Sequence, residues 1–361
     1  MSPRAARATM KDVAQAAGVS TSAVSFAFNN PDRLSAETVE RIHQVATQLG
    51  YVRDPTARML RTGTTSNLGL LLPQPIDEIF ANAYYAELIA GIGQTCTREG
   101  LFLLLIPPLK GSLAKSVPVS AVDGFLVVGI EEDRGEIQAI QRQRMPFVVI
   151  DGEPLDGVAG VGLDEAEAAG EVTRHLLDLG HRDLYLLVFE SGQDEGQTQW
   201  HGTLRTRFDG VRHAIAQAGL SGQVRVRVKE LPCTREAASK AVRGVWADED
   251  HPSAFLCFSD TLALGALDAL NDLGVEVPDQ VSVTGFDDVP EARWARPGLT
   301  TVHQSIRTKG RLAADRLVDV IAASRAPDEK HSLPEHQLVH GSLVVRDSSG
   351  PAPAHGGGSA S

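Results

Sequence analysis

The sequence predicts a small three-helix unit at the N-terminus, joined through a hinge segment to an α/β body of two doubly wound, parallel-sheet lobes. Three observations predict this. Within the first fifty residues, three helical runs each start on a Thr or Ser cap and stop at Gly or Pro. From Asn67 onward, short apolar runs alternate with amphipathic stretches, the pattern of parallel strands covered on both faces. The chain has 361 residues, enough for two or three domains.

The first helix is expected over residues 10–17. Thr9 caps it and Asp12, at the third helical position, completes a capping box. Val13, Ala14 and Ala17 form its apolar face, and Gly18 permits the left-handed backbone that ends it. Ser20 caps a second helix over 21–28, with Val24, Ala27 and Phe28 inward, and Asn29-Asn30-Pro31 stops it. Ser35 caps a third over 36–49, where Val39, Ile42, Val45, Ala46 and Leu49 recur at helical spacing before Gly50. Helix, tight glycine turn, helix is the helix-turn-helix arrangement, which places its second helix in the major groove of DNA.

In the body, strands are expected at 68–72, 101–106, 125–128, 147–150, 184–188, 254–258 and 281–283. Helical patterns at 166–179 and 261–273 each run into a glycine. Asp151, Ser259, Asp260 and Asp287 stand just past strand ends, where open α/β sheets bind ligands.

The net charge of −12 is unevenly divided. Residues 1–63 carry eight Lys/Arg and five Asp/Glu, or +3, while the remainder carries 26 and 41, or −15. A basic head on an acidic body points to nucleic acid at one end. A hydrophobic fraction of 42% with only 5% aromatics suits a soluble aliphatic core. No run approaches the roughly twenty unbroken apolar residues of a membrane helix. The stretch MSPRAARATMKDV has no apolar run after its basic residues, so it does not read as a secretory signal. Cys96, Cys233 and Cys257 are widely spaced and odd in number, as expected in a reducing cytoplasm without disulfides. The eleven His are dispersed and none are paired at zinc spacing. Gly91–Cys96 lacks the third glycine of a dinucleotide loop, and there is neither a P-loop nor a G-x-S-x-G elbow. No catalytic residue, cofactor or metal is therefore expected, and the chain does not read as an enzyme.

The run K-D-V-A-Q-A-A-G-V-S-T-S-A-V-S, followed by N-N-P, L-S-A-E-T-V-E-R-I and L-G-Y, resembles the opening of the lactose-repressor (LacI/GalR) family. That resemblance implies DNA contacts from Thr9, Thr21, Ser22, Ser25, Phe26, Asn29 and Tyr51. Short hydroxyls bond either base edge and specify modestly. Phe26 either meets a thymine methyl or packs against the third helix. Y-V-R-D-P-T-A-R-M-L-R-T-G resembles the family's hinge helix, implying roles for Ala57, Leu60 and Arg61, with Leu60 as a minor-groove wedge. Asp54 stands where an Asn is usual.

The body phrases V-D-G-F-L-V-V, M-P-F-V-V-I-D, R-F-D-G, F-S-D-T-L-A-L-G-A-L, V-T-G-F-D-D and P-G-L-T-T-V-H-Q resemble the family's periplasmic-binding-protein-like core. The organisation this implies is a DNA-binding head and hinge at 1–63 and an effector-binding, dimerising core at 64–348. Lobe crossings are expected near Asp164, Glu291 and Ala323. Lobe 1 then takes 64–163 and 292–323, and lobe 2 takes 164–291 and 324–348. A Pro/Ala/Gly/Ser-rich tail at 349–361 is expected to be disordered. The implied ligand residues are Asp151, Arg207, Ser259, Asp287, Tyr84 and Trp294, facing one cleft between the lobes. Ser259 occupies a position where sugar-binding relatives often have Asn. The partners implied are a palindromic double-stranded DNA operator, a second copy of the chain, and a small-molecule effector, sugar-like first and purine-like second.

Overall fold

A computed structural model describes residues 8–52, 59, 63–129, 135–190, 200–248, 250–325 and 336–353. The chain forms two compact units, residues 1–65 and 66–361. The expected hinge contacts Ala57, Leu60 and Arg61 fall outside the described residues.

In the first unit, α1 (Met10–Ala17), α2 (Thr21–Asn29) and α3 (Ala36–Gln48) start where the caps foretell. The Thr9 side chain accepts from the Asp12 amide, and the Asp12 carboxylate accepts from the Thr9 amide at 2.8 Å, which closes the capping box. Gly18 takes φ 65° and sets the tight turn into α2. Val13, Ala14, Ala17, Val24, Ala27, Ile42 and Ala46 make the core. Leu49 does not join it: α3 ends one residue earlier and leaves Leu49 42% exposed.

The second unit holds two parallel sheets. The larger contains β1 (Asn67–Leu71), β2 (Phe102–Ile106), β3 (Gly124–Val128), β4 (Phe147–Ile150), β5 (Gly160–Leu163) and, near the C-terminus, His336–Val339. Their order is His336–Val339, then β5, β4, β3, β1 and β2. Between β1 and β2 run α4 (Ile76–Ala81) and α5 (Ala83–Glu99); α6 (Leu113–Ser116) and α7 (Gly135–Arg142) flank β3. After β5 comes α8 (Glu165–Asp178), and then the smaller sheet begins. It is built from β6 (Asp183–Phe189), β7 (Arg225–Leu231), β8 (Ala254–Cys257) and β9 (Ser282–Thr284), ordered β7-β6-β8-β9. Its helices are α9 (Gly202–Gln217), α10 (Arg235–Ala247) and α11 (Asp260–Asp272). The chain ends through α12 (Pro290–Trp294), β10 (Thr301–Gln304), α13 (Ile306–Arg325), β11 (His336–Val339) and β12 (Gly341–Val344). A Cβ at Gly91 of α5 would lie 2.1 Å from Arg307 O, and one at Gly310 of α13 would lie 2.4 Å from Leu88 O. The two glycines thus let α5 and α13 lie backbone to backbone on lobe 1.

Three expectations change. The second crossing lies at Ser305, not Glu291, because Thr300 and His303 bridge in parallel to Thr284 and Asp287 and so extend the lobe 2 sheet. The third lies at His340, not Ala323: β11 pairs β5 in lobe 1, and β12 pairs β10 antiparallel in lobe 2. Periodicity misses both: the first boundary is one residue between the short strand β10 and α13, and the second is one residue between the strands β11 and β12. Of the expected tail, residues 349–353 are described and ordered, and 354–361 lie outside the described residues. Ser348 is fully buried and donates to Val283 O at 2.6 Å. The Gly350 amide donates to Ser282 Oγ at 3.0 Å, and the Ala352 amide to Leu179 O at 2.8 Å. Composition had suggested disorder, but backbone groups of the tail find fixed partners.

His181, fully buried, holds this tail; its ring nitrogens lie 3.0 Å from Ser253 Oγ, Ser282 Oγ and Gly350 O. Burial lowers its pKa below the ordinary imidazole value. A lowered folded pKa means the unfolded chain takes up the proton first, so this stability is complete above about pH 6.5 and is lost as the pH falls below it. Thermal melts from pH 7.5 to 5 should therefore show a steeper loss for wild type than for His181→Gln; parallel curves would contradict the assignment.

Candidate functional site

Two surfaces emerge. In the first unit, Ser20 caps α2 by accepting from the Ala23 amide at 3.1 Å, which leaves Thr21 and Ser22 exposed on its first turn. The Ser22 hydroxyl lies 2.8 Å from Ser20 Oγ, and a helix start with exposed hydroxyls suits contact with phosphate and base edges. Thr9 is exposed and committed to its capping box, with its hydroxyl on Asp12 at 2.7 Å. Asn29 donates to Ser25 O at 2.7 Å, fixing both at the end of α2. Phe28 meets α3, edge-on to His43 at a ring-centroid distance of 4.6 Å. Phe26 is half-buried and carries Arg33 over its ring at 5.3 Å. Tyr51 packs on Phe28 at 5.9 Å.

The second surface is a cavity of about 380 Å³ between the lobes of the second unit. Asp151, Arg207, Ser259, Asp287 and Tyr84 all line it, and Tyr85 lines it too. Trp294 does not; it stands 69% exposed on α12, because that helix lies on the outside of lobe 2. Asp151 follows β4, Ser259 opens α11 after β8, and Asp287 follows β9, so the strand-end rule brings them together.

The side chains are tightly partnered. Tyr84 donates to Asp151, and Lys309 of α13, fully buried, donates to the other Asp151 oxygen at 2.6 Å and to Gln304. Gln304 in turn donates to Asp287 at 2.6 Å, and Ser259 Oγ donates to the second Asp287 oxygen at 3.3 Å. A chain of polar contacts thus crosses from lobe 1 to lobe 2 behind the cavity wall. Further crossings come from Thr203 Oγ1 to Asp151 O at 2.8 Å and from the Gly202 amide to Glu153 at 3.2 Å.

Arg207 is only 4% exposed, on the second turn of α9 rather than at its start. Its Nε donates to Glu165 at 2.7 Å, its Nη1 donates to Phe258 O, and its guanidinium lies 3.6 Å from the Phe286 ring centroid. Ser259, not Asp260, is the α11 cap, accepting from the Thr261 amide at 3.1 Å. Asp260 is buried instead, accepting from Thr301 at 2.6 Å and from the Val289 amide at 2.9 Å. Asp288 is held by Arg346 and His303.

Burial raises Asp287 to about 6 and, with help from the Asp287 charge, Asp260 to about 8. Burial also raises Glu165, opposed by Arg207. Sequence reasoning missed Glu165, Gln304 and Lys309. Each is charged or polar on an otherwise amphipathic segment and so reads as solvated; no local signal marks it as buried. Asp77, Glu78 and Glu190 read the same way, and there Glu78 and Glu190 do stand exposed at the cavity mouth.

Two outcomes follow. Arg207→Ala leaves Glu165 buried without its cation and should cost about 3–5 kcal/mol in urea unfolding; a loss under 1 kcal/mol would refute the buried pair. The Asp287 carboxyl is raised, so its stability contribution is present at acid pH and lost as the pH rises through about 6. Asp287→Asn should accordingly gain on wild type in thermal melts between pH 5 and 8. A constant difference would contradict this.

Comparison with known proteins finds a match in each of the two units. The profile for bacterial regulatory proteins of the lacI family matches residues 9–54, and that for a periplasmic binding protein-like domain matches residues 173–349. An HTH-type transcriptional regulator of Mycobacterium tuberculosis is 35% identical over 327 residues, covering 86% of this chain and 90% of the relative. The HTH-type transcriptional repressor PurR of Photobacterium profundum is 31% identical over 350 residues, covering 94% of this chain and 98% of the relative. A lac repressor dimer bound to operator and the anti-inducer ONPF superposes with a TM-score of 0.79 at 22% identity, over 95% of this chain and 99% of that one, which shows a shared fold. No described helix is long and apolar enough to cross a membrane.

Proposed function

The chain belongs to the lacI family of bacterial regulatory proteins, and we propose that it is a cytoplasmic, effector-responsive repressor that binds a palindromic operator as a homodimer. The observation that carries this is the pairing, in one chain, of a separately folded helix-turn-helix unit with a unit built around an interlobe cavity. The exposed Thr21 and Ser22 read base edges, and Ser25, Phe26 and Asn29 line the same helix. Leu60 and Arg61 act in the hinge, with Leu60 unstacking the central base step when two copies meet on DNA.

A second copy also answers a feature of lobe 1. The edge strand β2 leaves Phe102 72% and Leu104 39% exposed, an apolar edge that pairing would cover. Ligand binding between the lobes shifts their arrangement, and the hinge segments of the dimer order or melt with it.

For the effector, Asp151 and Asp287 offer acceptors and Arg207 an oriented guanidinium, a set that suits a carbohydrate-like polyol. A solved relative, 25% identical, is the transcriptional regulator CelR in complex with cellobiose. A purine-like ligand is the second reading. It is supported by the aromatic rings of Tyr84, Tyr85, Phe189 and Phe258 around the cavity and by relatives named PurR.

The test is selection of operators from random-sequence DNA with the full chain, then binding at several salt concentrations. A two-fold symmetric site should emerge, with log affinity falling linearly in log salt as phosphate contacts release counterions. Ser22→Ala should weaken the selected site about fivefold, the equivalent of one lost hydrogen bond. Leu60→Ala should weaken it further while sparing non-specific DNA. Enrichment of no sequence, or of one asymmetric half-site bound by a monomer, would refute the reading.

A further inference from the structure

The cavity has an unbalanced charge. Its described lining includes four carboxylates, Glu78, Asp151, Glu190 and Asp287, and one permanent cation, Arg207. Arg207 is already committed: its charge faces Glu165, which lies outside the lining, across a 2.7 Å contact. Asp151 is matched by Lys309 at 2.6 Å.

Asp287 is different. It is 4% exposed, and its two oxygens receive only neutral donors, the Gln304 amide and the Ser259 hydroxyl. Among the described residues it forms no ion pair within contact distance; the charges of Arg207 and Lys309, each paired elsewhere, act on it only from farther off. A carboxylate held out of water is stabilised far more by an opposite charge than by neutral donors. A cationic ligand seated against Asp287 adds a contact charge that its neutral donors do not supply.

Two further features of the same cavity agree. Tyr84, Tyr85, Phe189 and Phe258 line it, and two of these rings already lie near cations, Phe189 under Arg207 at 5.8 Å and Tyr84 under Lys309 at 5.7 Å, as aromatic rings attract cations at close range. At the mouth, Glu78 comes from lobe 1 and Glu190 from lobe 2, and both are exposed. Acidic groups on both lips of a low-dielectric cleft draw cations inward.

We propose that the effector carries a cationic nitrogen, an ammonium or amidinium borne on a polyol or small ring, with the charge seated against Asp287 and the body between the aromatic walls. This rests on the reading that the interlobe cavity is the effector site. It narrows the ligand to a chemical class that neutral sugars and neutral bases do not meet.

The experiment uses the full chain and two charge-matched sets: glucosamine, glucose and glucuronate; benzylamine, benzyl alcohol and benzoate. Affinity is read by ligand-observed NMR titration at two ionic strengths. In at least one set the ammonium member should bind about tenfold more tightly than the neutral one, the anion should not bind, and salt should weaken the ammonium. Asp287→Asn should bring the ammonium down to the neutral level. Glu190→Gln, on the exposed lip, keeps the fold and should slow association and weaken the ammonium about twofold.

A neutral or anionic member that binds as well as the ammonium overturns the proposal, as does an absence of ammonium binding in both sets, or ammonium binding that survives Asp287→Asn. Operator binding is measured in parallel, with a wider collection of neutral sugars and nucleobases. Neutral compounds that change operator affinity through the cavity overturn the charge assignment and leave the effector reading standing. Ammonium binding lost in Asp287→Asn, with operator affinity unmoved by every compound, leaves the cationic site standing and overturns the effector reading.

Discussion

A guanidinium cannot be held out of water without an opposite charge, and the body of this protein is arranged around one that is. Arg207 of α9 is buried against Glu165, the first residue of α8. That residue follows directly on the Asp164 crossing, so the pair fixes where the chain enters lobe 2. The same guanidinium bonds Phe258 O at the end of β8 and lies over Phe286 at the end of β9. One side chain therefore sets the relative positions of two helices and two strand ends. Those strand ends carry Ser259 and Asp287, so the geometry of the lobe 2 wall depends on the pair.

The lobe 1 wall has its own buried cation. Lys309 is fully buried, yet it reaches Asp151 within its own lobe and Gln304 across the crossing, and Gln304 reaches Asp287. The side chains best placed to hold a ligand are thus joined by hydrogen bonds that span both lobes. A ligand that takes up Asp287 or Asp151 perturbs contacts on which the lobe arrangement rests. Under the proposed effector reading, that arrangement is the element whose equilibrium a ligand biases.

Local rules made the head legible. Thr9, Ser20 and Ser35 are caps whose chemistry acts within four residues, and Gly18 and Gly50 take the left-handed backbone that such turns need. The strand-end rule likewise found Asp151, Ser259 and Asp287, because it needs only the end of an apolar run. What escaped depends on distant partners. Nothing in the sequence around Lys309 or Glu165 marks either as buried, and only the fold brings each to its counter-charge. The tail read as disordered by composition, yet His181, Ser282 and Leu179 lie far back in sequence and hold its backbone. The resemblance implies Trp294 as a ligand residue, but it stands exposed outside the cavity lining.

The central claim is that the cavity and the DNA-binding head report on each other, and coupling between them is a measurable, reciprocal quantity. The direct measurement is a pair of calorimetric titrations. A compound that binds the cavity in wild type but not in Asp287→Asn is titrated into the full chain, with and without saturating operator DNA. Its affinity should change by at least about fivefold, and operator affinity should change by the same factor when the compound is present. Equal affinities with and without operator, for a compound bound at Asp287, would show that the two units share a chain without sharing a function.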